Sequence, residues 1–160
     1  MISNKTISIE SSVFRNNGSI PSKFTCDDVG INPPLSIRNV PKDAKSLVLI
    51  MTDPDIPETA KKSFGIDVWD HWVAFNIPTN ITEIKEGENP PGILGKNTRG
   101  NNTYGPPCPP DREHRYFFKV YALDTLLNLP TGSNRIDVEK AMSGHIIATG
   151  ELIGLYNRIK

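Results

Sequence analysis

The chain has 160 residues, 37% of them hydrophobic, and its eighteen basic residues are cancelled by eighteen acidic ones. That length suits a single domain spanning 1–160, large enough to bury roughly 70% of its unfolded surface. Without a clustered basic footprint nucleic acid is not an expected partner. No run approaches the ~20 apolar residues that cross a bilayer, and MISNKTISIE lacks the basic-then-apolar plan of a signal peptide, so the expected compartment is the cytoplasm.

Fourteen prolines and twelve glycines divide the chain into short β-branched and aromatic runs, the pattern of an all-β sandwich or barrel. In chain order the expected strands are 6–10, 23–26, 35–38, 46–52, 71–77, 115–123 and 149–156. Alternation is clearest near the end of the series: Tyr116, Phe118, Val120 and Ala122 share one face, and Phe117, Lys119 and Tyr121 the other. One segment has helical period instead. Val138, Ala141, Met142, His145 and Ile146 recur at three- and four-residue steps, behind Ser133 or Asn134 as a capping residue. On that reading His145 belongs to the apolar face and is a core histidine. Lys61-Lys62 reads as a solvated loop. The stretch 86–110, EGENPPGILGKNTRGNNTYGPPCPP, has almost no periodicity, and a loop of that length within a compact domain is usually functional or mobile.

Three clusters bear chemistry. Thr52-Asp53-Pro54-Asp55-Ile56-Pro57 follows the apolar run that ends at Met51, and its prolines stiffen a turn carrying two carboxylates. Trp69-Asp70-His71-Trp72 sets a histidine at the head of a strand. Tyr104-Gly105-Pro106-Pro107-Cys108-Pro109-Pro110 is a stiff rim, in which one X-Pro bond is a candidate for the cis form, and it leads into Glu113-His114-Arg115-Tyr116. Each local cluster also has a bland reading: a strand-ending turn, a packed histidine, a structural thiol. Arg115 is expected to pair with a carboxylate rather than a ligand. Cys26 and Cys108 are too few for a disulfide framework, and reduced thiols are expected; were the two adjacent, a disulfide would be open to them.

Together these residues resemble the phosphatidylethanolamine-binding family, in its prokaryotic Raf kinase inhibitor-like branch. The resemblance runs from Phe24-Thr25-Cys26 and Pro33-Pro34-Leu35-Ser36 to Gly154-Leu155-Tyr156-Asn157-Arg158. Its most specific parts are Asp53-Pro54-Asp55-Ile56-Pro57 with His71-Trp72, and Cys108-Pro109-Pro110 with His114-Arg115-Tyr116. Tyr121-Ala122-Leu123-Asp124 and Gly144-His145-Ile146 add to it. The resemblance implies a mainly β fold, an antiparallel Greek-key β-sandwich with one or two short helices, and a small pocket for phosphate-like anions. The positions matching that pocket are Asp53, Asp55, His71, Pro109, Pro110, His114 and Tyr116, with Tyr104 as an extra member. It further implies a binding protein rather than an enzyme, without a cofactor, whose ligand is a phosphate or phosphoethanolamine head group. A kinase or protease as protein partner and a homodimer are also compatible with it.

This chain departs from the family pattern at Ile56, Pro106 and Ile37, where alanine, glycine and tryptophan are common, and at Asp111-Arg112-Glu113, where a glycine is expected. The last change brings a like charge toward an incoming anion. The carboxy-terminal helix of the animal proteins has no counterpart before Lys160, which implies a more open mouth. In the pocket, neutral imidazoles each donate one N–H, loop amides of Gly105 or Cys108 add donors, and Asp53 either orients a histidine ring or faces an ammonium. The alternatives are an interaction module with a vestigial pocket, a hydrolytic metal site of His71, His114 and a carboxylate, and a Cys108 nucleophile with His114 as base.

Overall fold

The computed structural model describes residues 5–158. Ten strands and two α-helices appear in the order β1 (Lys5–Thr6), β2 (Ser8–Glu10), β3 (Gly18–Ser19), β4 (Leu35–Arg38), β5 (Ser46–Asp53), α1 (Glu58–Phe64), β6 (Trp69–Ile77), β7 (Glu83–Ile84), β8 (Ile93–Leu94), β9 (His114–Leu123), α2 (Arg135–Met142) and β10 (Ile146–Tyr156). The large sheet has the order β1-β10-β9-β5-β6-β8, with β3 also on β10, and a small sheet has the order β2-β4-β7. The expectation of a mainly β fold with one or two short helices holds, the helices being two. The sheets are not wholly antiparallel, however, because β1 and β3 both pair with β10 in parallel.

β5 shows why the large sheet is central. Its run SLVLIMTD is buried almost throughout, as expected of a strand covered on both faces. Leu47, Leu49 and Met51 join Trp72, Tyr116, Phe118 and Val120 in the core that the small sheet covers with Ile9, Leu35, Ile37 and Ile84. Val48 and Ile50 point the other way, to Val73, Phe75 and Leu123, and α2 covers them with Val138 and Met142. β9 alternates as its sequence demands: Tyr116, Phe118, Val120 and Ala122 are buried, and the residues between them only partly so.

Several expectations need correction. Segment 23–26 is not a strand: Ser22–Phe24 form a turn of 3-10 helix behind Pro21, with Phe24 N–H donating to the Pro21 carbonyl. The single strand expected over 6–10 is two, since Thr6 pairs with β10 and Ser8–Glu10 with β4. α1 replaces the expected loop around Lys61-Lys62; Pro57 precedes it and Gly65 closes it at φ 65°. α2 is capped by Asn134, whose side chain and that of Asp137 form a reciprocal capping box, and it stops at Met142. Gly144, at φ 82°, turns the chain out, so His145 is exposed with Nδ1 2.7 Å from Asp124 Oδ1 and is not a core histidine. No cis peptide bond occurs among the described residues. The cysteines are not reduced thiols. Cys26 and Cys108 form a disulfide, with Cα atoms 5.4 Å apart across 82 residues of sequence. Cys108 therefore has no thiolate for nucleophilic chemistry.

Candidate functional site

The sheet register brings the distant clusters to one place. Antiparallel pairing sets Thr52 opposite both Asp70 and Phe117. The end of β5 and the starts of β6 and β9 thus meet at one end of the large sheet. Between Met51 and Thr52 the register slips: Met51 faces Trp72 and Thr52 faces Asp70, leaving His71 as the extra residue of a bulge. A bulge frees one residue from the ladder and re-aims its side chain. His71 uses that freedom to dock the proline-rich loop twice. Its backbone carbonyl accepts from Gly105 N–H at 2.7 Å, and its ring Nδ1 lies 2.7 Å from the Gly105 carbonyl. A Cβ at position 105 would stand 3.2 Å from the His71 carbonyl oxygen, so this close approach favours glycine.

The loop 86–110 is held along much of its length. Ile93–Leu94 pair with β6, Thr98 accepts at Oγ1 from Asp70 N–H, and the Trp72 indole donates to Asn89. Asn97 accepts from Asn101 N–H and donates to the Thr103 carbonyl. The disulfide ties the loop's last turn to Cys26, whose N–H donates to the Pro107 carbonyl. Tyr104, expected in the pocket, instead donates its hydroxyl to the Phe24 carbonyl at 2.8 Å and packs edge-on against Trp72.

A cavity of about 340 Å³ lies at this end of the sheet. Asp53, His71, Pro109, Pro110, His114 and Tyr116 all line it; Asp55 and Tyr104 do not. The rings converge on Tyr116, with His71 edge-on to it at 5.3 Å between centroids and His114 stacked at 6.3 Å. Asp55 is a brace. Its carboxylate accepts from the Arg115 backbone N–H, Nε and Nη2 at 2.8–2.9 Å, and those hydrogen bonds pull its pKa down to about 2. Arg115 pairs with a carboxylate as anticipated.

The two histidines differ electrically. Burial drives the His71 pKa down to about 4, so at neutral pH the ring is uncharged. The Gly105 carbonyl can only accept, which puts the one proton on Nδ1 and leaves a lone pair on Nε2. His114 sits between carboxylates: Nδ1 is 2.7 Å from Asp53 Oδ2 and Nε2 is 2.7 Å from Asp111 Oδ1. Asp53 also accepts from Asp55 N–H through Oδ1, so both its oxygens are engaged and it holds the His114 ring. Burial raises the Asp53 pKa against the pull of that hydrogen bond, whereas the exposed Asp111 is lowered by its own bond to His114. Tyr116 lines the cavity, and its buried hydroxyl has no hydrogen-bond partner among the described residues.

Other residues on the wall carried little signal in the sequence. Phe64 of α1 is 59% exposed and meets Trp69 edge-on at 5.1 Å. Arg99 also lines the cavity, its guanidinium 5.8 Å from the Trp69 ring and without an acidic partner among the described residues. No three or more His, Cys, Asp and Glu side chains of the described residues gather as a metal-binding group. The proposed ligands are otherwise committed, His114 at both nitrogens and His71 at Nδ1.

The fold and these motifs have counterparts. A UPF0098 protein of Methanothermobacter thermautotrophicus is 46% identical over 158 residues, covering 95% of this chain and 99% of its own. A phosphatidylethanolamine-binding protein homologue of Chlamydia trachomatis superposes with a TM-score of 0.91 at 42% identity, covering 98% of this chain and 100% of its own. Escherichia coli YbcL, a member of the mammalian PEBP family, does so with a TM-score of 0.84 at 26% identity, covering 96% and 99%. The sequence profile of the phosphatidylethanolamine-binding proteins matches residues 10–157. With that span matched, the chain belongs to the phosphatidylethanolamine-binding protein family.

Proposed function

We propose that this protein binds a small phosphate-bearing ligand, such as inorganic phosphate or a phosphoethanolamine head group, without chemically transforming it. The observation that carries the reading is the hydroxyl of Tyr116, a cavity-lining residue: a buried donor with nothing among the described residues to receive its proton. Leaving such a group unsatisfied costs about 1–3 kcal/mol, which a phosphate oxygen would offset. Arg99, without an acidic partner among the described residues, supplies positive charge at the cavity. Neutral His71 offers Nε2 as an acceptor, suited to the hydroxyl of a phosphate monoanion or to an ammonium. At about 340 Å³ the cavity lies at the small end of the usual range of ~300–1,000 Å³, enough for a head group and not for acyl chains.

Isothermal titration calorimetry tests this with phosphate and phosphoethanolamine against the native protein and Tyr116→Phe. The native protein is expected to bind, and the variant to bind roughly tenfold more weakly. Absence of native binding, or equal affinity, would count against it.

A second reading, a docking module for a kinase or protease with the cavity as a vestige, has Phe64 in its favour, a large apolar side chain at the mouth. The cytoplasmic setting expected from the sequence is likewise a proposal. There the Cys26–Cys108 bond must have a reduction potential below that of the glutathione pool. Equilibration with glutathione buffers measures it.

A further inference from the structure

We propose that Asp111 is a tethered anion that gates the cavity: its carboxylate holds the His114 Nε2 that a ligand's phosphate oxygen would otherwise take, so binding through His114 requires Asp111 to leave. This rests on the anion-binding reading above and adds its regulation and selectivity. Each nitrogen of the His114 ring has a carboxylate oxygen at 2.7 Å, and the two carboxylates are held very differently. Asp53 is almost fully buried, with its second oxygen fixed by Asp55 N–H, and cannot swing away. The Asp111 side chain is 40% exposed, on the exposed turn 110–113 between the diproline and β9. It also has another partner at hand. Arg112 Nε lies 3.8 Å from Asp111 Oδ2, placed to receive the carboxylate once the imidazole releases it.

The chemistry makes the two states exclusive. One Nε2–H serves one short acceptor, and a carboxylate and a phosphate oxygen at that point would also repel each other. The tether therefore taxes every anion by the fraction of molecules in which Asp111 has moved. It taxes them unequally, because a ligand that brings its own ammonium gives the displaced carboxylate a counter-charge. Phosphoethanolamine is thereby favoured over inorganic phosphate. The sequence departure at Asp111-Arg112-Glu113 becomes the selectivity element of the pocket.

Calorimetric titration of Asp111→Asn and Asp111→Ala with inorganic phosphate and with phosphoethanolamine decides the matter. Both variants are expected to bind inorganic phosphate roughly tenfold more tightly than the native protein, and to gain less for phosphoethanolamine. A merely structural contact would give the opposite sign, so unchanged or weaker phosphate binding overturns the gate. If the native protein binds and Tyr116→Phe weakens it while the Asp111 variants do not differ, the gate falls and the binding function stands. If native protein and Asp111 variants are both silent at millimolar ligand, the cavity reading fails and takes the gate with it.

Discussion

The cavity has two walls, and they are held in opposite ways. On the sheet side, Asp53, His71, His114 and Tyr116 are buried, and every ring nitrogen but His71 Nε2 has a short partner. The proline loop that closes this side is tied down by a disulfide and by Gly105. The other side is α1, a seven-residue helix none of whose residues is buried, with Phe64 leaning on Trp69 at the mouth. One wall is fixed before any ligand arrives; the other rests lightly on its neighbours. Side chains that set an anion's position need preorganisation, whereas a rim that admits it gains nothing from rigidity. Variants on the first wall are therefore predicted to cost stability, and variants on the second to cost almost none.

The largest effect is expected where the sheet-side wall is stapled. Replacing Cys26 and Cys108 together by alanine opens a loop of 82 residues and should cost about 4 kcal/mol, a fall in melting temperature of roughly 10 °C by calorimetry. A change near zero would show that Gly105 and its neighbours hold the loop alone. Next comes Asp53→Ala, which removes the buried partner of His114 Nδ1 and an acceptor of Asp55 N–H. Urea unfolding should report a loss of about 3 kcal/mol.

A pH dependence follows from His71. Its pKa falls from 6.5 to about 4 on folding, so between those values the unfolded chain holds the extra proton. Stability then rises with pH across that window and is lost as pH drops through it, by a contribution on the order of 3 kcal/mol. Asp53, raised by burial, acts in the opposite sense. The difference in slope between native protein and His71→Gln isolates the histidine, and the variant's curve should be flatter. Smallest is Phe64→Ser. With the side chain 59% exposed, stability should change by less than about 0.5 kcal/mol. A loss above 2 kcal/mol would mean that α1 is as firmly seated as the sheet.

What the sequence disclosed follows the same division. β5 was legible because it is covered on both faces and reads as an unbroken apolar run, and β9 because its alternation meets a real difference between two layers. The capping box of α2 is local chemistry and could be seen, although its end at Met142 depended on Gly144 rather than on the apolar period. α1 carried only Pro57 and Gly65 as signals, since a helix that buries nothing needs no apolar stripe. The convergence of Asp53, His71, His114 and Tyr116 was expected from family motifs, whereas the bulge that aims His71 is a property of register and leaves no mark in a single strand. The pairing of Cys26 with Cys108, the split of the first strand between two sheets, and the turn of Asp111 onto His114 are long-range or side-chain geometry in the same way. Asp55, which matches the motif, and Tyr104, expected as an extra member, are drawn off by Arg115 and the Phe24 carbonyl.

Nitrogen-15 spectra of the histidine side chains during a phosphoethanolamine titration test the central claim most directly. A ligand seated beside Tyr116 must move the Nε2 resonance of His71, the ring nitrogen left uncommitted, while leaving His145, on the exposed turn after α2, where it was. A titration in which the His71 ring stays silent, or in which His145 moves as far as His71, would contradict the account.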